Sequence, residues 1–160
     1  MKRIFENSND LVMHMASLVE LAHTDGKFLE CEQVCLSQLA VGYASQLGNI
    51  DFNSIFREVE NREPSKEIFR EKLKGWQENL RHRPIAARVL LKDMVLLGYS
   101  DDEYGVEERR MVLDAATRFG ISVDVLKAIE DVVFVSIEAT SRMRDILMNG
   151  LTQGVEVQNA

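Results

Sequence analysis

A twelve-residue stretch occurs twice, 76 positions apart, and no other feature restricts the architecture of this chain as much. Leu21-Ala22-His23-Thr24-Asp25-Gly26-Lys27-Phe28-Leu29-Glu30-Cys31-Glu32 aligns without a gap on Leu97-Gly98-Tyr99-Ser100-Asp101-Asp102-Glu103-Tyr104-Gly105-Val106-Glu107-Glu108. In each copy an acidic residue precedes a glutamate by seven positions, Asp25 to Glu32 and Asp101 to Glu108, with an aromatic between them at Phe28 or Tyr104. Flanking apolar positions agree as well: Leu18 with Met94, Val19 with Val95, Leu36 with Val112, Ala40 with Ala116, Tyr43 with Phe119. A repeat of this kind predicts two equivalent halves in one fold, each presenting an acidic turn between two helices.

Almost every other segment reads as helix. Ser8 or Asn9 can cap a first helix whose apolar residues Leu11, Val12, Met15, Leu18, Val19 and Ala22 follow the helical period, and Asp25-Gly26 ends it. A second runs from about Leu29 to near Gly48, and a short third, capped by Asp51, holds Ile55, Phe56 and Val59. The next passes through Ile68, Phe69, Leu73, Trp76 and Leu80 and breaks before Pro84. A fifth covers roughly 85–99 and a sixth Val106 to Arg118, closed by Gly120. Ser122 then caps a helix that continues to Met148; its β-branched run Val132 to Ile137 has no second strand to pair with, so helix is expected there too. Residues 150–160 lack apolar periodicity and read as a loose tail. The core is expected to include Leu18, Leu21, Leu36, Leu39, Leu97, Val112 and Phe119.

Two readings of the acidic turns stand side by side. In the structural one, Leu29 and Gly105 are N-caps, and Glu32 and Glu108 reach back from the third helical position, where negative charge also suits the helix dipole. In the functional one, Asp25, Glu32, Asp101, Asp102 and Glu108 form a hard-cation site for Ca²⁺, Mg²⁺ or Mn²⁺, with Glu30, Glu103 and Glu107 adding to the field. An EF-hand is excluded, because its first and third loop positions would be Leu21 and His23, or Leu97 and Tyr99, where calcium needs oxygen ligands.

The order Ala22, Asp25, Gly26, Phe28, Glu32, closing one helix and opening the next, resembles the tellurite-resistance TerB family, which includes the N-terminal part of some membrane-anchored DnaJ-type co-chaperones. Ser100-Asp101 through Glu108 is the second occurrence, with Asp102 in place of the second glycine and Gly98 in place of an alanine; the likeness covers about residues 8–135. It implies an all-α, single-domain bundle of about seven or eight helices with internal pseudo-twofold duplication. Residues 1–149 would be that domain, with repeat halves at about 8–48 and 84–124. It further implies acidic turns that bind a divalent cation.

Composition narrows the function. A net charge of -7 opposes general nucleic-acid affinity, and no apolar run approaches a membrane span. The start, Met1 to Asn7, turns polar too soon for a signal peptide, so a cytoplasmic location is expected. Cys31 and Cys35, one helical turn apart, read as core thiols rather than a disulfide framework. No nucleophile elbow, phosphate loop, dinucleotide fingerprint or zinc-protease motif is present; His14 and His23, nine apart, share no helix face, and His82 falls at the helix break before Pro84. The expectation is therefore a non-enzymatic, stress-associated interaction module. Its acidic turns and its basic stretch, Lys66, Arg70, Lys72, Lys74, Arg81, Arg83, Arg88 and Lys92, would contact other proteins, membrane-associated ones or a second copy included. The alternative is a small metal-dependent hydrolase using the same acidic turns.

Overall fold

The computed structural model describes residues 4–22, 30–47, 66–100 and 104–150. These are all-helical: α1 (Ser8–Ala22), α2 (Glu30–Leu47), α3 (Lys66–Asn79), a 3-10 turn (Leu80–His82), α4 (Pro84–Gly98), α5 (Val106–Arg118) and α6 (Val123–Asn149). Among the described residues there are six α-helices and no strand, and Val132 to Ile137 lies within α6. The helix expected at Asp51 to Val59 and the tail beyond Gly150 lie outside the described residues.

Local chemistry sets the boundaries. Asn7 Oδ1 accepts the Asp10 N–H at 3.0 Å, so the N-cap of α1 is Asn7 rather than Ser8 or Asn9. Pro84 occupies the first turn of α4, where its missing N–H has no intrahelical partner to lose. Ser122 caps α6 through its Oγ, which accepts the Val125 N–H at 3.3 Å. At the end of α5, Gly120 adopts φ +70°, Ile121 N–H bonds Ala116 O and Gly120 N–H bonds Thr117 O, a Schellman closure that needs a residue without a Cβ.

α1 and α4 form the centre. Eleven of the fifteen residues of α1 are buried, as expected for a helix apolar nearly all round, and it packs on α2, α3 and α4. α4 also packs on α5 and α6. One contiguous core runs through Leu11, Leu18, Leu36, Leu90, Leu97, Val112 and Leu126, each buried leucine contributing roughly 1.5–3 kcal/mol. Of the expected core residues, Leu18, Leu21, Leu36, Leu97, Val112 and Phe119 are buried, and Leu39 is half-buried against them. α2 inserts Leu36, Ala40 and Tyr43; α5 inserts Val112, Ala116 and Phe119, each 76 positions on.

Two polar clusters stitch this centre together. Asp93, fully buried on α4, accepts from His14 Nε2 of α1 at 2.7 Å and from the Tyr43 hydroxyl of α2 at 2.6 Å, both on Oδ2. An ionised carboxylate only accepts, so Nε2 carries the proton in this contact. Lys92 Nζ lies 2.7 Å from the other oxygen and donates to the Tyr43 hydroxyl at 3.1 Å. At the N-terminal end, Asp10 receives a bidentate Arg83 guanidinium at 3.0 and 2.9 Å, Trp76 Nε1 at 3.0 Å and the Glu6 N–H at 2.8 Å. Arg83 and Lys92 are thus engaged with interior carboxylates, which leaves Arg70, Lys72, Lys74, Arg81 and Arg88 as the exposed described members of the basic stretch.

Candidate functional site

The C-terminal ends of α1 and α4 meet the first turns of α2 and α5 around a cavity of about 340 Å³. Leu21 and Ala22 of α1, Leu97 and Gly98 of α4 and Met111 of α5 wall it, while Glu32, Glu107, Glu108 and Asp114 bring carboxylates to it, with Arg110 beside them. Three pairs that the 76-residue offset relates, Leu21 with Leu97, Ala22 with Gly98 and Glu32 with Glu108, therefore line one space.

The helix starts explain how the glutamates arrive there. Gly105 is the N-cap of α5 in extended conformation, which puts Glu108 at the third helical position. Its carboxylate folds back over the cap so closely that a Cβ at residue 105 would lie 2.6 Å from Oε2. This is the reach-back expected of half a capping box, and the N-terminal dipole favours the charge. Gly98 has its own reason to be glycine: a Cβ there would sit 2.8 Å from Cδ2 of the Tyr104 ring. That ring stacks on Tyr99 with centroids 4.7 Å apart. The departure from alanine at this position thus answers to the aromatic six residues later.

Glu32 and Glu108 are brought to one cavity and are half-buried; Glu107 is exposed at its edge, and Glu30 is exposed in the first turn of α2. Asp25, Asp101, Asp102 and Glu103 lie outside the described residues, as do Leu29 and His23. Among the described residues no three carboxylate, imidazole or thiol groups converge to hold a metal ion. Among the described residues the lining is made of carboxylates and Arg110 over an apolar floor.

Features near the site that local sequence does not announce are the ion pair and the aromatic surface behind Tyr104. Arg109 grips Glu130 of α6 through Nε at 3.1 Å and Nη2 at 3.3 Å. Burial and then the neighbouring Glu130 charge push the Tyr104 phenol well above its ordinary range. Phe134 lies 6.0 Å from Tyr99, centroid to centroid. Only the aromatic at Tyr104, shared with Phe28 in the repeat, signalled this region from sequence. Cys31 and Cys35 are free and half-buried, and burial followed by the Asp93 charge pushes the Cys35 thiol up to about 11. No described helix is long and apolar enough to cross a membrane. No protein-family model, curated protein or solved structure matches this chain.

Proposed function

We propose that this chain is a non-enzymatic, stress-associated interaction module similar to the TerB family, and that the cavity between the two helix pairs binds a cationic group. The observation that carries the reading is the presence of Glu32 and Glu108, matched members of the repeat, on one cavity. Its ligand is a divalent cation, Ca²⁺, Mg²⁺ or Mn²⁺, completed by carboxylates of the adjoining turns, which lets a partner protein dock beside it. In the same reading α1–α2 and α4–α5 are the equivalent halves of a duplicated bundle of about seven or eight helices. The shared burial of Leu36 with Val112, Ala40 with Ala116 and Tyr43 with Phe119 supports that equivalence.

Clustered carboxylates repel one another, so a cation that binds the native state stabilises it. At ten times the dissociation constant the gain is about 1.4 kcal/mol, or roughly 3–6 °C in Tm for a chain of this size. Thermal melts in chelator against millimolar Ca²⁺, Mg²⁺ or Mn²⁺ read this directly, and Glu32→Gln/Glu108→Gln removes the shift. A wild type that melts alike in chelator and in all three metals overturns the cation site and leaves helix capping as the role of both glutamates. One observation favours the second reading, a metal-dependent hydrolase: the glutamates line a cavity instead of an open face. Metal-dependent turnover of phosphate or carboxylic esters, abolished in the same double variant, would establish it.

A further inference from the structure

α6 is apolar on two opposite faces. Leu126, Glu130 and Val133 are buried, with Ile137 half-buried, and this face packs on the core. On the far side Ala128, Val132, Val135, Ala139, Met143 and Ile146 form a second stripe, spaced at 4, 3, 4, 4 and 3 residues. That spacing averages about 3.6 and keeps all six on one line of the helix. All six are exposed; Val132 is 65 % exposed and Val135 62 %. A stripe on a helix that already has a core face has no folding role within the described residues, and its regular period marks an interface.

We propose that this stripe is the seam of an antiparallel homodimer, in which α6 of a second copy lies against α6 with the twofold axis crossing the seam at the level of residue 137. Steric complementarity favours the second copy. Reversed on itself about that point, the stripe sets Ala128 against Ile146, Val132 against Met143 and Val135 against Ala139, so in each layer the smaller side chain meets the larger. Charge gives the same register. Asp131 and Arg142 are eleven residues apart, about three turns, and so share one flank of the stripe. In an antiparallel pair with this axis, residues on one flank meet residues on the same flank of the other copy. Asp131 then faces Arg142 of the second copy, twice per dimer. Glu138, on the same flank near the axis, comes close to Glu138 of the second copy, and Arg142, one turn along each helix, offsets that repulsion.

A lipid surface is the poorer occupant. α6 carries five acidic and three basic residues, the wrong balance for an anionic leaflet. The seam is about 27 Å long, five turns of helix, so association is reversible and depends on concentration.

Sedimentation velocity of the full chain across a micromolar concentration series tests the proposal. The wild type moves from monomer to dimer, and Val135→Glu weakens association about a hundredfold by placing an unpaired carboxylate in the seam. The far-UV circular dichroism and Tm of that variant stay unchanged, since residue 135 faces away from the core. Asp131→Arg and Arg142→Asp each weaken the dimer about tenfold, and the double exchange recovers it to within about threefold, which a merely sticky surface would not do. A wild type that stays monomeric throughout, a Val135→Glu chain that still dimerises, or a double exchange no better than the singles overturns the proposal. So does binding of the monomer to phosphatidylcholine–phosphatidylserine vesicles without self-association.

Discussion

Replacing Asp93 with alanine tests the centre of the fold most directly. Asp93 is fully buried and its Oδ2 satisfies both His14, 1 % exposed, and the Tyr43 hydroxyl, while Lys92 balances the charge. The variant leaves two buried donors without an acceptor, at about 1–3 kcal/mol each, and breaks a buried charged cluster, for which about 3–5 kcal/mol is usual. We expect a loss of about 3–5 kcal/mol from a total of about 5–15 kcal/mol, which lowers Tm by roughly 10–15 °C. The acid dependence carries a sign. Burial alone would raise the Asp93 pKa, but the His14 hydrogen bond and charge, then Lys92, outweigh it and hold the carboxyl below the usual range. A folded pKa below the unfolded value of about 3.9 means that this stabilisation is complete above that value and is lost as pH falls through the folded one. Urea unfolding followed at 222 nm should therefore give a wild type-to-variant gap that is widest near neutral pH and narrows below about pH 4. A neutral-pH gap under about 1 kcal/mol, or one that stays constant on acidification, refutes this account of the cluster.

Gly98→Ala should destabilise by about 1–2 kcal/mol although alanine is the better helix former, because the new Cβ meets the Tyr104 ring; in a Tyr104→Ala background the same change should stabilise by about 1 kcal/mol, read as a reversal in urea midpoint. Asp10→Ala should cost about 2–4 kcal/mol, since it strands Arg83 and Trp76 together, and differential scanning calorimetry of this variant beside Arg83→Ala should show strongly sub-additive losses in the double variant. Alkylation of Cys35 by iodoacetamide should run about a hundredfold slower at neutral pH than that of an exposed thiol and accelerate toward pH 11, as mass spectrometry of the labelled peptide would show; an ordinary rate at pH 7 would contradict the burial of its sulfur.

What could be read before the fold was known followed from local rules. The apolar period of Leu11, Met15, Leu18 and Ala22 and the punctuation by Pro84, Gly120 and Ser122 are short-range signals; they placed α4, α5 and α6 to within a residue or so and α1 as a helix, its expected end at Asp25-Gly26 lying outside the described residues. The cap of α1 was misplaced by one or two residues because Asn7, Ser8 and Asn9 are all competent caps, and only the Asp10 N–H decides among them. The pairing of His14 with Asp93 was out of reach: the partners are 79 positions apart, and a histidine on an apolar helix face carries no local mark of what it will meet. For the candidate site, the repeat pointed to Glu32 and Glu108, which do share a cavity, while Asp25, Asp101 and Asp102 fall outside the described residues. Gly98 looked like a lapse from the repeat because its reason, the face of Tyr104, exists only once the turn has closed.

The central position of α1 has a kinetic consequence during synthesis. Eleven residues of this helix require cover, and the helix that supplies much of it, α4, ends at Gly98. Translation at about 5–20 residues per second leaves an interval of roughly 4–15 s between the completion of α1 and that of α4. During that interval Leu11, Met15 and Leu18 lack the cover that α4 supplies, and Asp93 is not yet held against His14. Fragments released before Gly98 lack the cover that α4 gives this helix and should aggregate even though every helix they contain is sound.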